Sequence, residues 1–397
     1  MCNSLDVKAA FLQGDPIKRD VFIEPPKEFF TGKLWKLKKT VYGLCDAARS
    51  WYLRVKQEFL RCGMVMCKLD QAMFLYFSEG VLSGIACLHV DDILWAGTAD
   101  FEANVIATMK DKFQIGSNET KSFKYVGVNI KGTSGTVRVD QEHYIEGLQE
   151  VGIASDRFRS DDLTPNEKKE YRALVGQLNW VATQTRPDVL FEVCLLSSVF
   201  DTATVEDLLC ANKLVRKLKA SSVILKFPKL QNDSLFVECY SDASFGNLIN
   251  GGSQGGYVIF ISDIDGNRCP VSWQSKRVRR VVKSTLAAET LAALDAAQAG
   301  VFTATLLAEI LNVPVTSVPI KCFVDNRSLV DAAYSTKSVE DKHLRINIAV
   351  LRDMLCTRSV STIRWVKTSH QLANVLTKRG ACSRPLLSAL GESMTRH

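Results

Sequence analysis

The run Cys87-Leu88-His89-Val90-Asp91-Asp92-Ile93-Leu94-Trp95-Ala96-Gly97 sets two adjacent carboxylates into the middle of an apolar stretch. Apolar residues resume at once on the far side, the pattern of a β-hairpin whose turn carries charge against a buried sheet. Taken alone, the pair is also what a solvated turn carries. At a sharp turn, however, two carboxylates can converge on one hard divalent cation, which takes oxygen ligands and keeps positions for phosphates. The rest of the chain has to decide between the two.

With 397 residues and 46% hydrophobic content, the chain is long enough for two or three domains with proper cores, and disorder is excluded as its overall state. A net charge of +7 admits a polyanionic partner without demanding one. The 12 cysteines are scattered without a CxxC pair or a zinc spacing, as expected of reduced thiols in an intracellular protein. No uninterrupted apolar run reaches the ~18 residues of a membrane span, so no membrane partner is expected. No GxSxG elbow or phosphate-cradling glycine loop marks a hydrolase or kinase.

In chain order, Leu5 to Gly14 reads as a short strand followed by a helical turn, with Asp6 placed either to cap that turn or to reach a site at the sheet edge. A chain that enters a strand pattern this early is expected to lack its beginning. Lys33 to Lys39 interleaves basic with apolar residues, either a solvated strand face or a phosphate-contacting strip that includes Lys36 and Lys38. Ala47 to Phe59 has helical spacing, as does Phe101-Val105-Met109-Phe113. Phe123 to Ile130 alternates and leads through Gly132–Gly135 into Val137-Arg138-Val139, the pattern of a hairpin. A helix begins at Tyr144, and the polar stretch around Pro165 marks a boundary. Beyond it, helical segments run from Tyr171 to Val181, Val189 to Phe200 and Val205 to Leu218.

LDVKAAFLQG, KLWKLKKTVYGLCDAARSWY and LHVDDILWAG, in this order and spacing, resemble the reverse transcriptase of copia-type LTR retrotransposons. The resemblance implies that Asp6 and Asp91 are the principal ligands of two Mg²⁺ ions about 4 Å apart, with Asp92 at the edge of the site. It makes Phe11 the aromatic gate beneath the incoming sugar, where a ring would clash with a 2′-hydroxyl. Arg49 becomes a nucleotide contact. The chain departs from the family where Asp46 replaces a Gln, Ala48 a Pro and His89 an aromatic residue. The fingers of this family lie before the first motif, so poor polymerisation is expected of the chain as it stands. The hairpin near Val137 resembles the family's primer grip.

From Leu235 the period changes to short strands, ending first at Ser241-Asp242-Ala243-Ser244. Gly255–Ile261 and Cys269–Trp273 continue a meander, Ser284 opens a long Ala-rich helix bearing Glu289, and a strand over 320–324 delivers Asp325. Three strands, a helix, a strand and helices, with acids at those places, make a ribonuclease H fold. YSDAS, STLAAET and FVDN resemble the first three motifs of copia-type ribonuclease H, which implies that Asp242, Glu289 and Asp325 hold metal ions to cleave the RNA of an RNA/DNA hybrid. The family's fourth ligand, the Asp of a QLAD-type helix start, is Asn374 here, a weak ligand without charge. Reduced cleavage, partly recovered with Mn²⁺, is therefore expected. Lys276, Arg277, Arg279 and Arg280 are candidate hybrid-backbone contacts or an ordinary charged loop, and His343 and His370 are candidates for substrate contact.

The expected fold is thus an α+β reverse transcriptase palm, an antiparallel sheet with helices, over 1–155; a helical thumb and connection over 156–232; and an α/β ribonuclease H-like domain over 233–397. Expected partners are an RNA template, a DNA primer, their hybrid and deoxynucleoside triphosphates. The expected location is intracellular, in a cytoplasmic particle or the nucleus. The competing reading is a decayed or repurposed copy that binds nucleic acid without catalysis.

Overall fold

The structure, a computed structural model, describes residues 2–133, 135–248, 250–337 and 339–395. By packing, the chain divides into two compact units, one built mainly from residues up to Tyr125 and the other mainly from those after it.

In the first unit an antiparallel sheet has the spatial order Val65–Met66, Met73–Ser78, Val81–His89, Asp92–Gly97, Cys2–Val7, Ile115–Thr120. The hairpin anticipated from the paired acids is there, its arms being Val81–His89 and Asp92–Gly97. Leu5, Val7, Ile93, Trp95, Ala86 and Leu88 alternate into one core. That core is closed by Trp51, Val55 and Phe59 from the helix Ala47–Arg61 and by Phe101, Val105 and Met109 from the helical segment after it. Two glycines make room for the second closure. Gly84 and Gly97 face each other across the hairpin, and a Cβ on either would lie within 2.3 Å of the Phe101 ring.

The alternating run Phe123–Ile130 is not one strand. Val126 (φ 42°) and Gly127 (φ 78°) turn the chain, leaving Ser122–Tyr125 and Val128–Thr133 as separate strands. Two left-handed residues in succession are what a tight hairpin turn requires, and alternation of side chains does not reveal them. The helix expected to begin at Tyr144 spans Glu142–Gly147.

The second unit carries a five-stranded sheet ordered Arg268–Val278, Ser253–Ser262, Phe236–Ser244, Ile320–Val324, Thr362–Trp365. Its first three strands are antiparallel, and the last two join them in parallel. The helices Pro165–Gln184, Leu190–Ser197 and Val205–Ala220 share one continuous hydrophobic core with this sheet, Leu178, Val193 and Leu214 belonging to the same cluster as Tyr240, Phe260 and Leu376. The segment 156–232, set apart in the sequence as thumb and connection, thus packs as one body with the five-stranded sheet. Pro165 opens the first of these helices at a capping box between Thr164 and Glu167. Arg186 and Asp188, each about 1% exposed, then form a buried ion pair at 2.8 Å, and Arg186 also donates to the Ser221 carbonyl.

Thr285–Leu311 is long and apolar enough, by length and composition, to cross a membrane, although Glu289 and Asp295 interrupt its apolar run; half of its most apolar window is buried inside the protein. Gly300 is the close approach, since a Cβ there would meet Cys239 Sγ at 2.5 Å. All 12 cysteines are free thiols.

Candidate functional site

Register alone brings two of the three expected carboxylates of the first unit together. Asp6 lies directly opposite Asp92, and opposed residues of an antiparallel pair share a face. His89 pairs with Asp92 on the other side, so Val90 and Asp91 make the turn. The turn is pinned from two directions: the Val7 amide donates to the Asp91 carbonyl at 2.9 Å, and the Trp51 indole N–H donates to the Val90 carbonyl at 2.6 Å. Val90 sits at φ 56°, a left-handed conformation costly for a β-branched residue. Burial, and then the charge of Asp91, pushes the carboxyl groups of Asp6 and Asp92 above their ordinary range.

Phe11 is buried, and its ring lies 4.4 Å from that of Tyr42 at 48°. The Tyr42 hydroxyl donates to Asp91 Oδ2 at 3.4 Å, so the two rings form a wall that ends on a carboxylate. On the opposite side Gly116 lets the neighbouring strand approach: a Cβ there would stand 2.1 Å from Asp6 Oδ2. Sequence reading missed both Trp51's hydrogen bond and Gly116. A glycine inside a strand is the one available signal of a close approach.

The departure at Asp46 has a local partner. Arg19 holds it with Nη2 at 2.9 and 3.0 Å from the two carboxylate oxygens. Arg49 is exposed in the first turn of the helix Ala47–Arg61. Lys36 pairs with Asp20 at 2.6 Å, and Lys38 is exposed.

In the second unit, Asp242 stands near the end of the central strand, Glu289 near the start of the long helix, and Asp325 just past Val324. Each offers a carboxylate oxygen within 4.8 Å of the others. Among the described residues this is the group of three acids that approach so closely, whereas Asp6, Asp91 and Asp92 do not. Asp242 is fully buried and Glu289 4% exposed. Glu289 Oε2 has no hydrogen-bond partner. Burial, followed by the charges of Asp242 and Asp325, pushes the Glu289 carboxyl up to about 9, and burial raises that of Asp242 as well. A set of all-oxygen donors that includes a buried carboxylate with an unpartnered oxygen fits a hard divalent cation.

The segment Gln371–Lys378 closes this site. Gln371 Nε2 donates to the Ser241 carbonyl at 2.9 Å and to the Phe323 carbonyl at 3.3 Å, tying together the two strands that carry Asp242 and Asp325. Residues 374–376 form a single 3₁₀ turn rather than the start of a longer helix. The Thr377 hydroxyl donates to Asp242 Oδ2. Lys378 Nζ lies 3.1 Å from Asp242 Oδ1 and 2.8 Å from Asn374 Oδ1. Gly256 admits the segment, since a Cβ there would meet Leu376 Cβ at 2.7 Å. Sequence reading singled out Asn374 but neither Thr377 nor Lys378, although both lie within four residues of it. His343 and His370 are exposed, as are Lys276, Arg277, Arg279 and Arg280; Lys276 pairs with Asp295 at 3.0 Å.

The family model described as reverse transcriptase (RNA-dependent DNA polymerase) matches residues 1–156. The Retrovirus-related Pol polyprotein from transposon RE1 of Arabidopsis thaliana is 27% identical over 94% of this chain and 26% of its own length. That from transposon TNT 1-94 of Nicotiana tabacum is 27% identical over 94% of this chain and 29% of its own. The chain thus spans about a quarter of the length of these curated relatives. Among solved structures, RNase H1 from the halophilic archaeon Halobacterium salinarum NRC-1 overlaps 36% of this chain and 93% of its own at 19% identity and a TM-score of 0.27. With both carboxylate sets in place, the chain is similar along nearly its whole length to these retrotransposon Pol polyproteins, and its first 156 residues match the reverse transcriptase family model.

Proposed function

We propose that this chain copies RNA into DNA at Asp6, Asp91 and Asp92 and cuts the RNA strand of the resulting hybrid at Asp242, Glu289 and Asp325. The observation that carries the proposal is the buried convergence of the second trio, with Glu289 Oε2 left without a partner. Such a cluster of carboxylates destabilises a fold that holds no cation among them, which is why it reads as a site. Residues 1–155 act as palm, 156–232 as thumb and connection, and 233–397 as nuclease.

Mg²⁺ or Mn²⁺ bound at these carboxylates would stabilise the charge that develops on the reacting phosphate and supply a deprotonated water for cleavage. The protein's own part is to fix the donors. Thr377 and Lys378 hold both oxygens of Asp242, so its carboxylate plane is set, and Gln371 keeps the strand ends of Asp242 and Asp325 at constant separation. In the palm, Asp6 and Asp91 are the principal ligands with Asp92 beside them. The Phe11 ring, braced by Tyr42, lies under the sugar and disfavours a 2′-hydroxyl. Lys36, Lys38 and Arg49 contact template and triphosphate, and Lys276, Arg277, Arg279 and Arg280 track the hybrid backbone, all of them exposed. A Pol segment of this kind works inside the cell.

With an uncharged amide at position 374 in place of a fourth carboxylate, cleavage should be slower with Mg²⁺ than with Mn²⁺, and Asn374→Asp should raise the Mg²⁺ rate. The test is cleavage of a 5′-labelled RNA strand in an RNA/DNA hybrid by the full chain with Mn²⁺. Cleavage should disappear in Asp242→Asn and in Glu289→Gln, and primer extension in Asp91→Asn. Failure of the unaltered chain to cut the hybrid, or undiminished cleavage by either variant, overturns the nuclease assignment.

A further inference from the structure

The nuclease site contains a cation of its own. Lys378 Nζ bridges Asp242 Oδ1 at 3.1 Å and Asn374 Oδ1 at 2.8 Å, placing an ammonium between the first carboxylate and the position of the family's fourth ligand. The other oxygen of Asp242 accepts from Thr377, so the residues of a single short turn engage the whole carboxylate. The opposite side of the cluster is different in kind: Glu289 is 96% buried, and its Oε2 meets no donor at all.

We infer that Lys378 permanently fills one of the two cation places of this centre, and that the site takes a single divalent ion on the side of Asp242 facing Glu289 and Asp325. This rests on the nuclease reading above and deepens it. The charge balance supports it. Three carboxylates and one ammonium leave two negative charges, which one divalent ion neutralises. An Asp at position 374 would add a third negative charge beside Lys378 and favour displacement of the side chain by a second divalent ion. Asn374 adds none, yet its amide oxygen still accepts from the ammonium. Asn374 and Lys378 therefore work as a pair. The loss of the fourth carboxylate does not leave a defective place for a second metal; it leaves a place suited to a monovalent group that is tethered four residues away.

The geometry also explains how Asp242 tolerates complete burial. Its Oδ1 has a charged partner and its Oδ2 a hydroxyl, whereas Glu289 has a backbone amide, that of Ala243, and an Oε2 with no hydrogen-bond partner. Lys378 is thus a positioning residue that acts on the reaction through the number of ions the carboxylates hold.

The test counts ions directly, without reference to cleavage. The full chain carrying Asp6→Asn and Asp91→Asn, so that the palm contributes no ions, is titrated with Mn²⁺ and free Mn²⁺ is read by electron paramagnetic resonance. One Mn²⁺ per chain is expected. Adding Glu289→Gln should remove that ion, and its retention refutes the nuclease site itself. Adding Asn374→Asp together with Lys378→Gln should raise the count from one to two, whereas Lys378→Arg, which keeps the charge, should leave it at one. Two ions in the unaltered nuclease site, or one ion in the Asn374→Asp/Lys378→Gln protein, overturns the assignment of Lys378 while leaving the nuclease reading intact. Circular dichroism of each variant in EDTA establishes that a lost ion is not a lost fold.

Discussion

Glu289→Gln should change how the metal-free protein responds to pH. The Glu289 carboxyl titrates near 4.5 in an unfolded chain and is pushed to about 9 in the fold. Between those values the folded state keeps a proton that the unfolded state has released, so stability falls as pH rises. The contribution is fully present below about pH 4.5 and is lost progressively until the folded carboxyl ionises near 9. One proton of difference corresponds to about 1.4 kcal/mol per pH unit, so the effect between pH 6 and pH 8 is on the order of 3 kcal/mol. Against a net folding free energy of roughly 5–15 kcal/mol this is a large effect. Asp242 is raised too, so the proton belongs to the interacting pair, and replacing Glu289 removes the pair's coupling. Glutamine keeps the shape and cannot ionise, so its protein should lack this slope. The assay is urea unfolding in EDTA at pH 6, 7 and 8, with the difference between wild type and variant taken at each pH. That difference should grow by about 2–3 kcal/mol in the variant's favour as pH rises. Mg²⁺ should reverse it, since an ion held only by the wild type adds about 2.7 kcal/mol at a concentration 100 times its Kd. A difference that stays constant from pH 6 to 8 in EDTA would show that Glu289 titrates as an ordinary surface acid, and the argument from its orphaned oxygen would fall with it.

Gly116→Ala should displace the Asp6 carboxylate, because a Cβ would stand 2.1 Å from Oδ2; a misplacement of about 1 Å costs on the order of 100-fold in rate, and unchanged primer extension would refute the close approach. Val90→Asn should stabilise the first unit by about 1 kcal/mol, since Val90 is at φ 56° and exposed while Asn tolerates that region; a lower melting temperature would contradict this. Asp188→Ala should cost about 3–5 kcal/mol by leaving the Arg186 guanidinium buried and unpaired, to be measured by urea unfolding of the second unit, and a loss below about 1 kcal/mol would mean that water or the Ser221 carbonyl suffices.

What could be read from the chain depended on whether a residue's neighbours in sequence were also its neighbours in space. The Asp91 turn was legible because apolar runs flank it on both sides, and Asp325 because a strand delivers it and a helix begins at Asn326. The strand Ile115–Thr120 was not legible. Its residues are Ile-Gly-Ser-Asn-Glu-Thr, nearly all exposed, and they are extended because Cys2–Val7 offers them an edge. Polarity around Pro165 reads as a linker, yet Arg157 there is fixed by Glu167 and Asp161, and the helices beyond it share one core with the five-stranded sheet. The two departures from the family pattern make the same point more sharply. Asp46 reads as a misplaced charge until Arg19, twenty-seven positions earlier, is found beside it. Asn374 reads as a lost ligand until Lys378 is seen between it and Asp242. In both cases the altered residue has a charged partner. The experiment that tests this pairing is the double substitution at 374 and 378, because only residues working as a pair give a combined effect that their single changes do not add up to.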